Sequence, residues 1–329
     1  MSINFYIPDF DKNIIPIRAS RRFRAMIPLK GMRPEDKIIG SLDQVKPGDI
    51  VVVAKKIKQQ EVLYLKNIEA KVVYDICDSK WHKSWQKPGA KEELNNICAM
   101  ANLIVTTTPE LAKEIKIRTN KNAFIIPDPT ERERVEPNFN PSTTINLFYY
   151  GSEKNFSTLD LNNIVETIKI FKLNHDILHF KFFLNIMIDR SKKHIDRYYR
   201  YIEKEKILKI YEYNFTEQEK LIKMSDIILL PIRSKSFNVK TIYQKSPNRV
   251  IDAIQMGKIV ITNSGVASYE KLKDFVYWMY NENYGEAIYW LLNNREQVIK
   301  KVTEGQQYID QHHTPEIIGK RWIEIEKII

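Results

Sequence analysis

Two short runs of this chain, Ile227–Leu230 and Ile259–Ile261, are apolar at every residue. Strands that are apolar on both sides are typical of a parallel sheet that helices cover on both faces. The residues between the two runs predict a helix, because Ser246 is a good N-cap, Pro247 suits the first helical position and Gly257 suits the stop. Strand, helix and strand together predict a right-handed βαβ unit, which favours the α/β fold class.

The loop that leads into this helix is basic. Ile232–Lys245 carries Arg233, Lys235, Lys240 and Lys245 and has no acidic residue. Backbone N–H groups at a helix N-terminus attract anions, and ligands of parallel sheets lie beyond the carboxyl ends of the strands, where this loop lies. The loop therefore predicts a phosphate-binding site. A solvated surface loop is the alternative, because basic loops are common in basic proteins.

The same alternation of strands and helices runs through the whole chain. The chain has 329 residues, which is longer than a domain with a single hydrophobic core usually is. Prolines cluster among charged residues at 127–143, as in a linker between domains. We therefore predict an α/β protein with two Rossmann-like domains, whose parallel sheets face a cleft. The predicted domains are residues 1–140 and 141–310, followed by a C-terminal helix in 311–329. The predicted strands are Ile3–Ile7, Ile50–Ala54, Lys71–Asp75, Leu103–Thr107, Ala123–Ile126, Ile145–Tyr150, Phe180–Leu184, Ile207–Tyr211, Ile227–Leu230, Ile259–Thr262 and Phe275–Met279. The predicted helices are Arg21–Leu29, Gln59–Asn67, Lys91–Met100, Pro109–Lys116, 158–173, 192–204, 216–224, 247–256 and Pro315–Ile329.

Charge and cysteine content limit the partners and the location. The net charge is +11, and the basic excess is spread over both halves of the chain. Such a field favours a nucleotide, a phosphorylated carrier, an acidic membrane surface or nucleic acid. Cys77 and Cys98 lack C-x-x-C spacing, which predicts no zinc site or disulfide framework and favours a reducing, cytoplasmic location. No apolar run approaches the roughly 18 residues that span a bilayer, so we expect membrane contact, if any, to be peripheral at the inner surface.

The second half offers further candidates for a ligand site. A predicted strand ends in Tyr150 and Gly151, and a glycine there lets a ligand approach the backbone closely. Ser152 and Lys154 follow, and Lys154 adds positive charge. A plain turn glycine is the alternative. No G-x-G-x-x-G pattern occurs, so a dinucleotide site is poorly supported.

Three polar residues of the predicted helix 247–256 suit a nucleotide. Asn248 and Asp252 are four residues apart and share a face. A carboxylate at Asp252 can accept hydrogen bonds from two vicinal hydroxyls, as a ribose presents. Arg249 can bond a phosphate oxygen or pair with Asp252. The alternative for Asp252 is a solvated helix acid.

The first half contains a second cationic helix start. Ser20, Arg21, Arg22 and Arg24 open the predicted helix that follows the first strand. Basic residues there oppose the helix dipole, so a bound anion would explain them better than helix stability does. Simple surface exposure is the alternative.

Two further groups suit chemistry or binding. Asp75 ends a predicted strand, Asp78 follows it and His82 comes shortly after, which suits acid–base chemistry or ordinary loop polarity. Trp81 and Trp85 alternate with lysines, a pattern that suits a membrane interface, base stacking or core packing. A metal site is weakly supported, because no ligand set accompanies the two carboxylates.

The chain resembles the GT-B glycosyltransferases, in particular the retaining family 4 group. The resemblance rests on the tandem domains, the strand that ends in Tyr150-Gly151, the run DIILLP at 226–231, and KSPNRVIDAIQMGKIVIT at 245–262. It covers nearly the whole chain, although its specific residues lie mostly in 225–265. The resemblance also implies that the C-terminal helix crosses back to the first domain.

The resemblance implies roles for individual residues. Lys245, Ser246, Asn248 and Arg249 would lie at the donor diphosphate, and Asp252 would hold the nucleotide ribose. The segment that contains Arg21 resembles one that touches the donor phosphates or the acceptor. Many members carry two Glu residues at the positions of Gln244 and Asp252. Gln244 replaces the first acid, through which those members contact the sugar. Asp252 is shorter than Glu and so shortens the ribose-binding arm.

We therefore expect a glycosyltransferase that uses a nucleotide sugar, most simply a UDP-sugar, as co-substrate, without cofactor or metal and with retention. Asp78 and His82 are the candidates that orient the acceptor hydroxyl. The expected acceptor is an envelope or lipid-linked glycan. A hydroxymethylated base in DNA also suits the basic chain. A sugar-nucleotide epimerase and a non-catalytic nucleotide-binding module are two further candidate functions.

Overall fold

The computed structural model describes the chain in two compact units. The described residues are 2–8, 10, 19–54, 57–79, 81, 89–151, 158–174, 180–188, 208–231, 243–263 and 265–329. Unit 1 comprises Met1–Glu131, Asn238–Asn248 and Asp310–Ile329, and unit 2 comprises Arg132–Phe237 and Arg249–Ile309. Neither unit is continuous in the chain.

Strands and helices alternate in both units, as the sequence predicts. The strands are β1 Ile3–Tyr6, β2 Lys37–Ile39, β3 Ile50–Ala54, β4 Lys71–Ile76, β5 Leu103–Thr106, β6 Ala123–Ile125, β7 Thr144–Gly151, β8 Lys181–Ile188, β9 Leu208–Glu212, β10 Ile227–Leu230, β11 Ile259–Asn263 and β12 Tyr277–Met279. The α-helices are α1 Ala19–Arg21, α2 Gln59–Asn67, α3 Ala90–Met100, α4 Pro109–Thr119, α5 Thr158–Asn174, α6 Phe215–Met224, α7 Asn248–Gln255, α8 Ala267–Glu270, α9 Tyr284–Asn293, α10 Arg295–His312 and α11 Pro315–Glu324. No helix of the described ranges has both the length and the apolarity to span a membrane.

Unit 1 is built on a six-stranded parallel sheet in the order β2-β1-β3-β4-β5-β6. Successive side chains of a strand point to opposite faces, so Val51 of β3 joins the apolar layer beneath α2, α3 and α4, and Val52 joins the layer that contains α11. Trp322 of α11 is completely buried in this second layer and meets Phe5 of β1 edge to face, with the ring centroids 5.2 Å apart. Helices therefore cover both faces of the sheet.

The C-terminal helix of unit 1 approaches another backbone closely. A Cβ on Gly319 of α11 would overlap the backbone of Gly31, and a Cβ on Gly31 would overlap the backbone of Glu316. Gly31 ends a 3-10 turn, Pro28–Gly31. The two glycines thus allow α11 to seat Trp322 in the core.

Unit 2 is built on a second six-stranded parallel sheet, in the order β12-β11-β10-β7-β8-β9. Read from β9, this is the 3-2-1-4-5-6 order of the doubly wound α/β fold. The expected fold class, α/β with two Rossmann-like parallel sheets, is confirmed.

Several predicted elements differ from the structure. The predicted helix Arg21–Leu29 is instead a short α-turn, a π-helical stretch Arg22–Met26 and a 3-10 turn, because Pro28 cannot donate to a continuous helix. The sequence prediction omitted β2, which has three residues and an exposed Lys37, and it omitted α9 and α10. The predicted helix 192–204 lies outside the described residues.

Candidate functional site

The strand order of unit 2 places a ligand crevice at one position. From β7 the chain adds β8 and β9 on one side and then returns to add β10, β11 and β12 on the other. Doubly wound sheets bind ligands beyond the carboxyl ends of the strands at this switch point. The carboxyl end of β7 is Gly151, and its neighbour β10 ends at Leu230. Gly151, a candidate from the sequence, ends β7. The candidate residues of α7 follow β10 in the chain.

The end of β7 and the start of α7 are joined by reciprocal hydrogen bonds. Arg249 Nη1 donates to the backbone oxygen of Tyr150 at 2.9 Å, and the Tyr150 hydroxyl donates to the backbone oxygen of Arg249 at 2.8 Å. Gly151 has a φ of +150°, and a Cβ there would overlap the Arg249 guanidinium. Glycine is therefore required at 151, because any side chain would displace the cation that crosses the end of β7.

Asp252 places a carboxylate one turn further along α7. Its side chain is buried, with 5% exposure. Burial raises the pKa of the Tyr150 phenol, and the negative charge of Asp252 raises that pKa further, so the carboxylate acts on the end of β7. A carboxylate offers several lone pairs, so Asp252 has the chemistry to accept hydrogen bonds from ligand hydroxyls. The structure thus brings Gly151, Arg249 and Asp252 together within unit 2.

The far end of α7 is fixed by α10 and by the start of unit 2. Gln306 Nε2 donates to the backbone oxygens of Val135, at 2.7 Å, and of Ile254, at 3.1 Å. The backbone N–H of Val135 donates to Gln255 O at 2.9 Å, and Gly257 has φ +74° where a Cβ would meet the Val135 oxygen. The sequence prediction missed Gln306, since a glutamine in a polar helix carries no signal of burial.

The residues that precede α7 belong to unit 1. The backbone oxygen of Gln244 accepts a hydrogen bond from Thr108 Oγ1 at 3.0 Å. Lys245, Ser246 and Asn248 follow, each partly buried, and Asn248 is the first residue of the helix. The prediction that Ser246 caps the helix by a side-chain hydrogen bond is wrong: within the described ranges its buried Oγ has no partner.

The arginines of the SRRFR segment have protein partners. Arg24 is buried and donates from Nε and Nη2 to both carboxylate oxygens of Asp75, at 2.9 and 3.0 Å. Its Nη1 lies 3.2 Å from Asp128 Oδ1. Burial alone lowers the pKa of Arg24, but the charges of Asp75 and Asp128 outweigh burial and raise it. The expectation of an anion-binding Arg24 and an acid–base Asp75 is therefore wrong, because the two neutralise each other.

The neighbouring arginines are also engaged. Arg22 forms a two-point ion pair with Glu131, at 2.7 and 3.0 Å, so the expectation that it awaits an external anion is wrong as well. Arg21 reaches the backbone oxygen of Pro8 at 3.4 Å and is half-buried. Arg21 thus differs from its neighbours in having no carboxylate ion pair among the described residues.

The remaining candidates have the following places. Asp78 follows β4 and is half-buried. His82, Ser152, Lys154 and Arg233 lie outside the described residues. Across the described ranges, no group of three or more His, Cys, Asp and Glu residues is arranged to hold a metal ion.

Solved structures resemble this chain in fold, although no protein-family model or curated protein matches its sequence. HepE of Anabaena, in complex with UDP, matches over 100% of both chains with a TM-score of 0.65 and 11% identity. TarM of S. aureus, in complex with UDP and other ligands, matches 86% of this chain with a TM-score of 0.60 and 12% identity. OtsA matches 86% of this chain and 73% of its own, with a TM-score of 0.60 and 11% identity. The chain spans 57% of the TarM chain, a little more than half.

These neighbours are glycosyltransferases that share one architecture. The chain has the GT-B fold. The resemblance stated from the sequence motifs is confirmed at the level of the GT-B fold. Because the identities are low, the shared GT-B fold does not assign roles to individual residues. The function must be argued from the residues at the site.

Proposed function

We propose that this chain is a glycosyltransferase that moves a sugar from a nucleotide-sugar donor, a UDP-sugar, to an acceptor hydroxyl with retention. The observation that carries the proposal is the arrangement of Gly151, Arg249 and buried Asp252 at the switch point of unit 2. HepE, which matches the full length of this chain, is described in complex with UDP and with UDP-glucose.

The donor would be held by two charges of opposite sign on α7. Asp252 would accept hydrogen bonds from the vicinal ribose hydroxyls, since a carboxylate offers several lone pairs. Arg249 would bond the diphosphate, helped by the positive end of the α7 dipole. Lys245, Ser246 and Asn248 precede or begin this helix, and the proposal assigns them to the diphosphate as well.

The same groups would lower the reaction barrier. Negative charge grows on the diphosphate as the bond to the sugar breaks, and fixed cations and N–H groups aimed at it stabilise the transition state. Arg249 is already held against the Tyr150 backbone, so little reorganisation is needed. Asp78, with His82, is proposed to orient the acceptor hydroxyl.

For the acceptor we propose an envelope or lipid-linked glycan, handled by a cytoplasmic enzyme at a membrane surface. The net charge of +11 supports an anionic surface near the acceptor. In a flotation experiment, the protein should rise with vesicles of anionic phospholipid. A salt-dependent shift of hydroxymethylated DNA without flotation would favour the nucleic acid acceptor instead.

Thermal stabilisation by UDP, GDP and their sugars is the direct test of the donor site. UDP should raise the melting temperature of the wild type, because a ligand that binds only the folded state stabilises it. Asp252→Asn keeps the shape of the side chain but removes its charge, and we expect UDP affinity to fall at least about tenfold. Glu296→Gln changes an acid in the first turn of α10 and serves as the matched control.

Hydrolysis or transfer of UDP-glucose then separates an enzyme from a binding module. Release of UDP from the donor should require an intact Asp252 and be unaffected by Glu296→Gln. If no nucleotide or nucleotide sugar stabilises the wild type, the donor site is refuted. Nucleotide binding without hydrolysis or transfer would support the non-catalytic binding module. Conversion of the donor to a different sugar without an acceptor would indicate an epimerase.

A further inference from the structure

One corner of unit 1 contains buried polar groups without partners. Ser79 follows β4, and Thr107 follows the neighbouring strand β5. Their side chains are 2% and 4% exposed, and neither hydroxyl has a hydrogen-bond partner in the part of the chain that the structure describes. Buried polar groups are paired in roughly 90% or more of cases, so two such hydroxyls just beyond the ends of adjacent strands need an explanation.

Gln244 belongs to the same corner. Its backbone oxygen accepts from Thr108 Oγ1 at 3.0 Å, and Thr108 directly follows Thr107. Its side-chain Oε1 is buried and also lacks a partner among the described residues. Gln244 is thus hydrogen-bonded to the residue next to Thr107, and Ser79 and Thr107 lie beyond the ends of β4 and β5, the edge at which parallel sheets bind ligands.

Ordinary hydrogen bonding is available at this edge, as Thr106 shows. Its Oγ1 donates to the backbone oxygen of Ile76 at 2.7 Å, and its side chain is completely buried. Thr106 and Thr107 are therefore adjacent residues of the same type with opposite states, one bonded and one unbonded. Thr106 thus has a hydroxyl that is hydrogen-bonded within the fold, whereas the hydroxyl of Thr107 has no partner among the described residues.

We propose that Ser79, Thr107 and Gln244 form the acceptor subsite and bind an uncharged, hydroxyl-rich group, a sugar ring. The subsite rests on the proposed function and names the chemical class of its acceptor. Serine and threonine hydroxyls both donate and accept, as sugar hydroxyls do, and the amide of Gln244 adds both roles. Phosphate groups are recognised instead by cations and backbone N–H groups.

The unbonded oxygens are covered by protein, so a sugar enters only when side chains move. Gln244 is half-buried and has three side-chain torsions, which makes it the mobile cover of this corner. Once inside, sugar hydroxyls would satisfy the groups that the protein itself leaves unbonded. Binding would therefore be favoured by the relief of unpaired polar atoms.

Paired threonine variants test this subsite. Thr107→Val is isosteric and removes an unbonded hydroxyl, so we expect the melting temperature without added ligand to rise by roughly 2–6 °C. Thr106→Val removes a bonded hydroxyl and should lower it by a comparable amount. Saturation-transfer NMR measures binding of methyl α-D-glucopyranoside and methyl β-D-galactopyranoside, with glycerol 3-phosphate as the charged probe. The wild type should give a signal with at least one of the sugars and none with glycerol 3-phosphate, and Thr107→Val should reduce the sugar signal about threefold or more.

The outcomes separate the subsite from the donor site. Stabilisation by UDP should be the same in the wild type and in Thr107→Val, because Thr107 takes no part in the donor site. A loss of stability in Thr107→Val that equals the loss in Thr106→Val overturns the subsite. So does an unchanged sugar signal in Thr107→Val, as expected if the hydroxyls hold only buried water, or the absence of any sugar signal in the wild type. Failure of UDP to stabilise the wild type would instead refute the proposed donor site, whatever the sugars do.

Discussion

Replacing Arg24 by methionine should destabilise unit 1 more than the loss of any exposed ion pair. Arg24 is 1% exposed and Asp75 is completely buried. Arg24 also donates to the backbone oxygen of Ile126 at 2.7 Å and lies over the ring of Trp322, 5.1 Å from its centroid. Methionine keeps much of the apolar stem but leaves the Asp75 carboxylate in the interior without its guanidinium.

The expected loss follows from burial. Removing one partner of a buried ion pair costs about 3–5 kcal/mol, because a buried charge is left uncompensated. At roughly 2–4 °C per kcal/mol for units of this size, the melting temperature of unit 1 should fall by roughly 6–20 °C. Adding Asp75→Asn removes the uncompensated charge and should restore part of that loss.

Arg33→Met is the matched control. Arg33 contacts three carboxylates, those of Glu35, Asp36 and Glu326, and its side chain is 30% exposed although that of Asp36 is buried. Asp36 also keeps backbone donors after the change, including the N–H of Ile3 at 2.8 Å. We expect a cost of about 1 kcal/mol or less, measured by urea unfolding beside Arg24→Met. Equal costs for the two variants would refute the argument from burial.

Three further changes test other parts of the structure. Gly151→Ala should weaken UDP binding at least about tenfold in calorimetry, because its Cβ displaces the Arg249 guanidinium, while an unchanged affinity would contradict the proposed place of that cation. Burial lowers the pKa of His313, whose Nδ1 donates to the backbone oxygen of Asp128, so stability is fully present above the unfolded value of 6.5 and is lost as pH falls below it. His313→Gln should therefore flatten the decline of unfolding free energy from about pH 7 to about pH 5, and an identical decline would assign it to other groups. Gly319→Ala should cost about 1–3 kcal/mol in urea unfolding, since its Cβ meets the backbone packed against α11, and a neutral effect would show that this contact relaxes freely.

The fold could be predicted from local pattern wherever burial is complete. The apolar runs Ile50–Ala54 and Ile227–Leu230 were predicted with the bounds that the structure has, and so was the helix Gln59–Asn67. Short edge elements such as β2 escaped, because three residues with one exposed lysine give no clear period.

The roles of charged residues could not be predicted in the same way. Asp75 is 51 residues from Arg24 in the chain and Asp128 is 104 residues away, so no local rule links them. The cap at Ser246 was predicted only from the residues at the start of the helix. The residues that precede the helix belong to unit 1, which the local sequence does not indicate. Asp252 and Gly151 could be chosen as candidates because helix spacing and strand ends are local features, but the effect of the Asp252 charge on Tyr150 required the structure.

The position of Trp322 after unit 2 in the chain has a consequence for biosynthesis. Trp322 is a central residue of the core of unit 1, together with Ile318 and Ile325 of the same C-terminal segment. Domains usually fold in the order in which the ribosome makes them. Here the strands of unit 1 are made first, but the helix that closes one of its faces is made after all of unit 2. Unit 2 can therefore complete its core while one apolar face of unit 1 still lacks the helix that covers it.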